Sequence, residues 1–291
     1  LRQRIPEVMI AGAPSRRMAQ SQGASDVTAR GRWLPLLLLA VLLVAGLARA
    51  GAPRPLQVLF VGNSLTYVGN LPAVFGALAG ANGHPVHTDM LVKGGATLTQ
   101  WLDSGAVQRA LEAGRYDYVV LQERGNDFAC GFGPQVCRDS RHTLRALCAA
   151  VRANGARPIL MGTYQIGQKA SEAIVAAESK AAHDNGMPYL SVSGRLDEGR
   201  RKVPYADWFA KAGHPGHDLV LLEAVLLYRQ LYGTMPEAKA LDVRAPMFVP
   251  GSEFAPPAPV SMPLLPKVSL AGGYDYSPRE MATAIELAGS H

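Results

Sequence analysis

The residue types that could do chemistry here sit at four turns. Ser64 stands in VLFVGNSLTY, just past a short apolar run. A serine hydroxyl is a poor nucleophile alone; it needs a base within hydrogen-bond reach and donors for the oxyanion its attack creates. His214, in AGHPGHD, offers that base, since a neutral imidazole can take a proton from a hydroxyl and return it to a leaving group. Gly94-Gly95, in LVKGGATL, lets backbone approach a ligand closely, and Asn126, in LQERGND, carries an amide that can donate into the same crevice. Each has an ordinary alternative. Ser64 fits a helix N-cap, Gly94-Gly95 a plain turn, Asn126 a turn-former, and His214 a surface-loop or helix-start histidine. His217 competes with His214, but its position suits the beginning of a helix. The serine motif is not the G-x-S-x-G elbow, because Thr66 stands where the second glycine belongs.

The elements that must position these residues alternate. LQVLFV (56–61) reads as a buried strand, followed by Leu71, Val74, Phe75 and Leu78 at helical spacing behind Pro72. Residues 86–92 give a second strand and 98–113 a helix. YDYVVLQ (116–122) is the clearest strand, bounded by Gly125-Asn126. Helices over 139–153 and 170–185 alternate with strands over 158–162 and 188–192. Residues 218–232, apolar almost all round and ending at Gly233, predict a buried helix. The pattern predicts an α/β fold: three layers, a flavodoxin-like parallel sheet with helices on both faces, and a ligand site beyond the carboxyl ends of the strands. Seven prolines over 245–266 predict an extended stretch, and Ser277-Pro278 opens a last helix over 278–288.

Composition excludes several classes. The chain has 291 residues, 48% of them hydrophobic and 18% charged, which rules out a disordered chain. Its +6 charge invites a nucleic-acid partner, but the first fifty residues hold seven arginines against Glu7 and Asp26. The rest, with 22 basic and 21 acidic residues, is nearly neutral, so no nucleic acid is expected. From Trp33 to Ala48 no residue is charged; Arg30 and Arg32 precede this run and Ala48-Arg49-Ala50 follows it. This predicts a secretory signal peptide over 1–50, with Met18 as the start and 1–17 as an extension. Sixteen residues are short for a span of about 20, so a membrane anchor requires an uncleaved leader. The expected organisation is then a catalytic-type domain over 51–235 and a Pro-rich extension over 236–291, working in a secreted or periplasmic setting. Export favours a Cys130–Cys137 disulfide over free thiols; no ligand spacing supports a metal. Cys148 falls on the apolar face of its helix and reads as core.

The order G-N-S-L-T, then glycine, then G-N-D after the third strand, then a late H-P, resembles the SGNH hydrolases, also called GDSL esterases and lipases. The likeness spans about residues 56–234 and lies closest to members opening with G-N-S. The resemblance implies that Ser64 is the nucleophile and, with Gly95 and Asn126, forms the oxyanion hole; Gly94 is second choice to Gly95. It implies His214 as base and leaves Gln122, in V-V-L-Q-E, as a competing polar group. No cofactor is implied. The substrate would be an acyl, in one case acetyl, ester of a small molecule, lipid or carbohydrate.

Gly125 is shifted against the family's G-x-N-D, although Asn126 and Asp127 fit, and one position departs outright. Three residues before His214 the family has Asp; here stands Lys211. Asp207 is the candidate replacement from a longer loop. A backbone carbonyl could instead hold the ring, leaving a Ser–His dyad. Two other readings stay open, the first of them motivated by Lys211. One is a catalytically impaired relative acting as a glycan-binding or structural module. The other is a nucleotide or flavin binder, although the phosphate-loop and dinucleotide motifs are absent.

Overall fold

The computed structural model describes residues 54–254 and 272–290. The expected leader and most of the proline-rich stretch lie outside the described residues. Five parallel strands form the central sheet in the order β2-β1-β3-β4-β5. They are β1 (Leu56–Gly62), β2 (Val86–Val92), β3 (Tyr118–Leu121), β4 (Arg157–Met161) and β5 (Tyr189–Leu190). Successive side chains on a strand point to opposite faces. Val58 and Phe60 of β1 therefore join one hydrophobic cluster, and Leu59 and Val61 the other. Both faces are covered, which is why these strands read as continuous apolar runs.

The first cluster packs under α2 (Leu71–Ala81), α7 (Val192–Lys202), α8 (His217–Tyr232) and α9 (Pro278–Gly289). The second packs under α3 (Leu98–Asp103), α4 (Ala106–Ala113), α5 (Pro134–Ala153) and α6 (Gln168–Asp184). A single helical turn, α1 (Ser64–Tyr67), follows β1 directly. Cys148 is buried as expected, with its thiol on the Met187 sulfur, and burial pushes its pKa up to about 11.

Several boundaries differ from the sequence pattern. The helix expected over 98–113 breaks at Ser104-Gly105, where Gly105 turns left-handed (φ 66°). α5 starts five residues early, at Pro134 in the first turn, and so takes in Cys137. The strand over 188–192 shrinks to Tyr189–Leu190 because α7 begins at Val192. α7 buries only Val192, Ser193, Leu196 and Gly199, too sparse a stripe to stand out in the sequence. A second, two-stranded antiparallel sheet joins β6 (Leu241–Pro246) to β7 (Gly272–Tyr276). α9 begins as expected: Ser277 caps it and Glu280 closes the box back onto the Ser277 N–H. In the first cluster α9 packs on α8, and β6 packs on α2.

Candidate functional site

β1 delivers Ser64 at the carboxyl end of the sheet, beside the β1/β3 boundary where the strand order reverses. Asn63, not Ser64, caps α1: its side-chain oxygen accepts from the Leu65 N–H at 3.0 Å. The same amide donates to the Ala96 carbonyl at 3.1 Å, tying the serine turn to the glycine turn after β2. Ser64 is thus relieved of the capping role, and its partly exposed hydroxyl stands at the first helical position.

Thr66 fastens the turn from its other side. Its hydroxyl donates to the Gln122 side-chain oxygen at 2.6 Å, across the β1/β3 boundary. The approach is tight: a Cβ on Gly62 would lie 2.1 Å from the Thr66 hydroxyl, so only glycine fits at 62. Gln122 is fully buried and donates in turn to the Gly162 carbonyl. Gly95 sits in the turn closed by the Ala96 N–H on the Lys93 carbonyl, left-handed at φ 69° and exposed.

Asn126 also adopts positive φ, at 77°, in the loop after β3. Its amide lies against the backbone of Gly131, where a Cβ would come within 2.1 Å of Nδ2. Gly131 belongs to the loop closed by the Cys130–Cys137 disulfide, which the structure contains. Arg124 braces this loop, pairing with buried Asp127 at 2.9 Å and lying 3.9 Å over the Phe132 ring. Phe132 is itself largely exposed.

His214 follows a tight turn over Lys211–Gly213, in which Ala212 (φ 59°) and Gly213 are left-handed. Its Nδ1 lies 2.9 Å from the Lys211 carbonyl oxygen. A proton on Nδ1 donated to that carbonyl leaves Nε2 with its lone pair. Tyr164, beyond β4, holds the loop by donating to the Gly213 carbonyl at 2.9 Å. Val68 and Gly69, just past α1, line one cavity of about 180 Å³ together with Pro215, Gly216 and His217. The chain just after the serine turn and the chain just after His214 thus line the same cavity. No hydrogen bond joins Ser64 to His214 among the described residues; such bonds are often long without substrate.

Asp207 is engaged elsewhere. Its carboxylate accepts the N–H of His217, the first residue of α8, at 3.0 Å. Its own N–H donates to Asp218 at 2.6 Å, and the Asp218 N–H returns to the Asp207 carbonyl. The physical reason is reach: Asp207 is spent on the helix start, while the turn at Lys211 brings a carbonyl to the ring first. His217 opens α8 and stacks on Tyr274 at 3.7 Å, and burial lowers its pKa. It is held by packing, as its place at the helix start suggested.

Buried carboxyl groups near the strand ends escaped the sequence reading. Glu123 accepts the Leu98 and Arg124 N–H groups, and burial raises its pKa to about 7. Glu178 accepts from Thr163 and Tyr189, and burial raises it to about 7 as well. Glu223 of α8 is wholly buried, and burial holds it well above the ordinary carboxyl range. The available signal was an acid inside the apolar run LVLLEAVLLY.

No protein-family model matches this sequence, and no curated protein does. Solved structures do. A protein from Slackia heliotrinireducens assigned to the SGNH hydrolases is 23% identical, with TM-score 0.52, over 61% of this chain and 100% of its own. A catalytic mutant of an acetylxylan esterase from Geobacillus stearothermophilus is 16% identical, with TM-score 0.50, over 62% of this chain and 97% of its own. The five-stranded parallel sheet with helices on both faces agrees with these likenesses: this chain has the SGNH-hydrolase fold.

Proposed function

We propose that this protein is a serine ester hydrolase working through a Ser64–His214 dyad. The observation that carries the proposal is the Nδ1 contact of His214 with the Lys211 carbonyl, together with a Ser64 hydroxyl that Asn63 frees from capping. Ser64 Oγ attacks the ester carbonyl carbon, and its proton passes to His214 Nε2. The oxyanion is received by the N–H groups of Ser64 and Gly95 and by the Asn126 amide. Collapse expels the alcohol, which takes the proton from Nε2. Water then attacks the acyl-enzyme with His214 again as base, releasing the acid and freeing Ser64.

The backbone carbonyl fixes the tautomer but brings no full negative charge to the imidazolium, so turnover should be lower than with a carboxylate. An acetyl ester of a carbohydrate is the favoured substrate class, supported by the fold shared with an acetylxylan esterase. The disulfide supports an oxidising compartment, in line with export. A second reading, an impaired glycan-binding module, draws on Lys211 at the expected carboxylate position.

Hydrolysis of p-nitrophenyl acetate by the parent and Ser64→Ala tests the proposal. The expected result is a burst of p-nitrophenol from the parent and none from the variant. Equal rates for the two would refute it. Covalent labelling of Ser64 by a fluorophosphonate separates an enzyme from the binding module.

A further inference from the structure

Phe132 is an exposed aromatic ring that the fold holds in place through both chain neighbours and one of its faces. It sits in the loop closed by the Cys130–Cys137 disulfide. The Gly131 N–H before it donates to the Asn126 carbonyl at 3.0 Å, and the Gly133 N–H after it donates to the Cys130 carbonyl at 3.0 Å. The Arg124 guanidinium lies 3.9 Å over one face of the ring, close enough for a cation to be attracted to it. Arg124 is itself fixed, with Nε and Nη2 on the carboxylate of buried Asp127 at 3.2 and 2.9 Å. Yet Phe132 remains 52% exposed. Packing gives no reason to brace a large apolar side chain at the surface, because its stabilisation comes from leaving water.

The surroundings specify what the free face can take. Gly131, Pro134 and Gln135, near it in the chain, are exposed, so the ring stands on an open, wet rim and not in an enclosed apolar channel. With two of its nitrogens on Asp127, Arg124 keeps Nη1 for another acceptor. The Gln165 amide borders the residue after Arg124, since a Cβ on Gly125 would lie 3.5 Å from its Nε2. An apolar face bordered by donors matches a pyranose. The C–H side of the sugar lies on the negative face of an aromatic ring, and its oxygens accept from the rim. An acyl chain would use the ring and leave the donors unpaired. The loop also places the ring: Gly131, the residue before Phe132, is the one packed against the Asn126 amide.

We propose that Phe132 is a stacking platform for the sugar ring of a carbohydrate ester, on the alcohol side of the bond that Ser64 attacks. The inference deepens the esterase reading and rests on it. Phe132 takes no part in the chemistry; it adds binding to sugar esters that small alkyl esters do not receive.

The test measures kcat/KM of the full chain for glucose pentaacetate, which carries an acetyl ester on every hydroxyl, and for ethyl acetate. The ratio of the two is compared among the parent, Phe132→Ala, Phe132→Leu and Phe132→Tyr, each with a melting curve. The ratio should fall about fivefold in the alanine and leucine variants, through a higher KM for the pentaacetate. Phe132→Tyr keeps a flat face and should hold the parental ratio. A parental ratio in Phe132→Ala overturns the proposal. Should that variant not fold, Phe132→Leu keeps apolar bulk beneath Arg124, and a parental ratio there overturns it equally. A Phe132→Ala variant that loses ethyl octanoate relative to ethyl acetate and keeps the sugar ratio assigns the ring to the acyl chain and overturns it too. A parent that a fluorophosphonate labels but that leaves the pentaacetate intact overturns the platform and spares the esterase reading. An unlabelled parent, or a Ser64→Ala variant as active as the parent, overturns both.

Discussion

The Nδ1 nitrogen of His214 lies 2.9 Å from the carbonyl oxygen of Lys211, three residues before it. The position where the family resemblance calls for an aspartate side chain is therefore served by the main chain of the residue that replaces it. The turn makes this possible: Ala212 and Gly213 both take left-handed conformations, which fold the Lys211 carbonyl back toward the ring. The His214 N–H also approaches the same oxygen. Tyr164 then holds the turn from outside through the Gly213 carbonyl.

Asp207→Ala separates a triad member from a helix cap. Asp207 accepts the His217 N–H, so its loss should cost about 1 kcal/mol of stability, as other N-terminal cap removals do. Turnover should fall less than tenfold, whereas losing an orienting carboxylate costs about 10⁴ in a serine protease. Steady-state kinetics and a melting curve decide the matter. A loss of thousands-fold at unchanged melting temperature would make Asp207 part of the machinery.

Asn63→Asp tests the link between the serine and glycine turns. Aspartate can still accept from the Leu65 N–H but cannot donate to the Ala96 carbonyl. A carboxylate then faces a buried carbonyl oxygen, and a penalty of about 1–3 kcal/mol is expected. The melting temperature should drop, and esterase turnover with it, since Gly95 is one residue from Ala96. Unchanged stability would mean that the amide's donor side contributes nothing.

Stability should fall as pH rises from about 4.5 to about 7. Burial raises Glu178 and Glu123 to about 7 in the folded chain, above their ordinary value near 4.5. The folded state therefore keeps protons that the unfolded chain releases across that window. Their contribution is full below the lower value, declines through the window and is flat above it. Melting curves from pH 5 to pH 8 should show this decline, and Glu178→Gln should reduce it. A variant with the parental profile would remove Glu178 from the account.

Much of this was legible along the chain. β1 and β3 announce themselves as apolar runs because both faces of a parallel sheet are buried. Ser64 opens the helical turn after β1, and Gly95, Asn126 and His214 fall in loops. α7 was hidden because a polar helix with four buried residues leaves little periodicity. β6 does alternate, buried and exposed, over its first four residues. Its partner β7 lies some thirty residues further on, and that pairing is invisible locally.

The sequence by itself determined the layered fold, the serine at the end of the first strand and the histidine before the last core helix, because hydrophobic period and turn chemistry are local. It also exposed the missing aspartate at Lys211. Only the tertiary structure decided what replaces it. Whether a carboxylate seven residues away or a carbonyl three residues away meets the imidazole depends on backbone torsions at Ala212 and Gly213 and on the pull of α8 on Asp207. The same holds for Glu223: an acid in an apolar helix is visible as an anomaly, but its complete burial arises only in the packed fold.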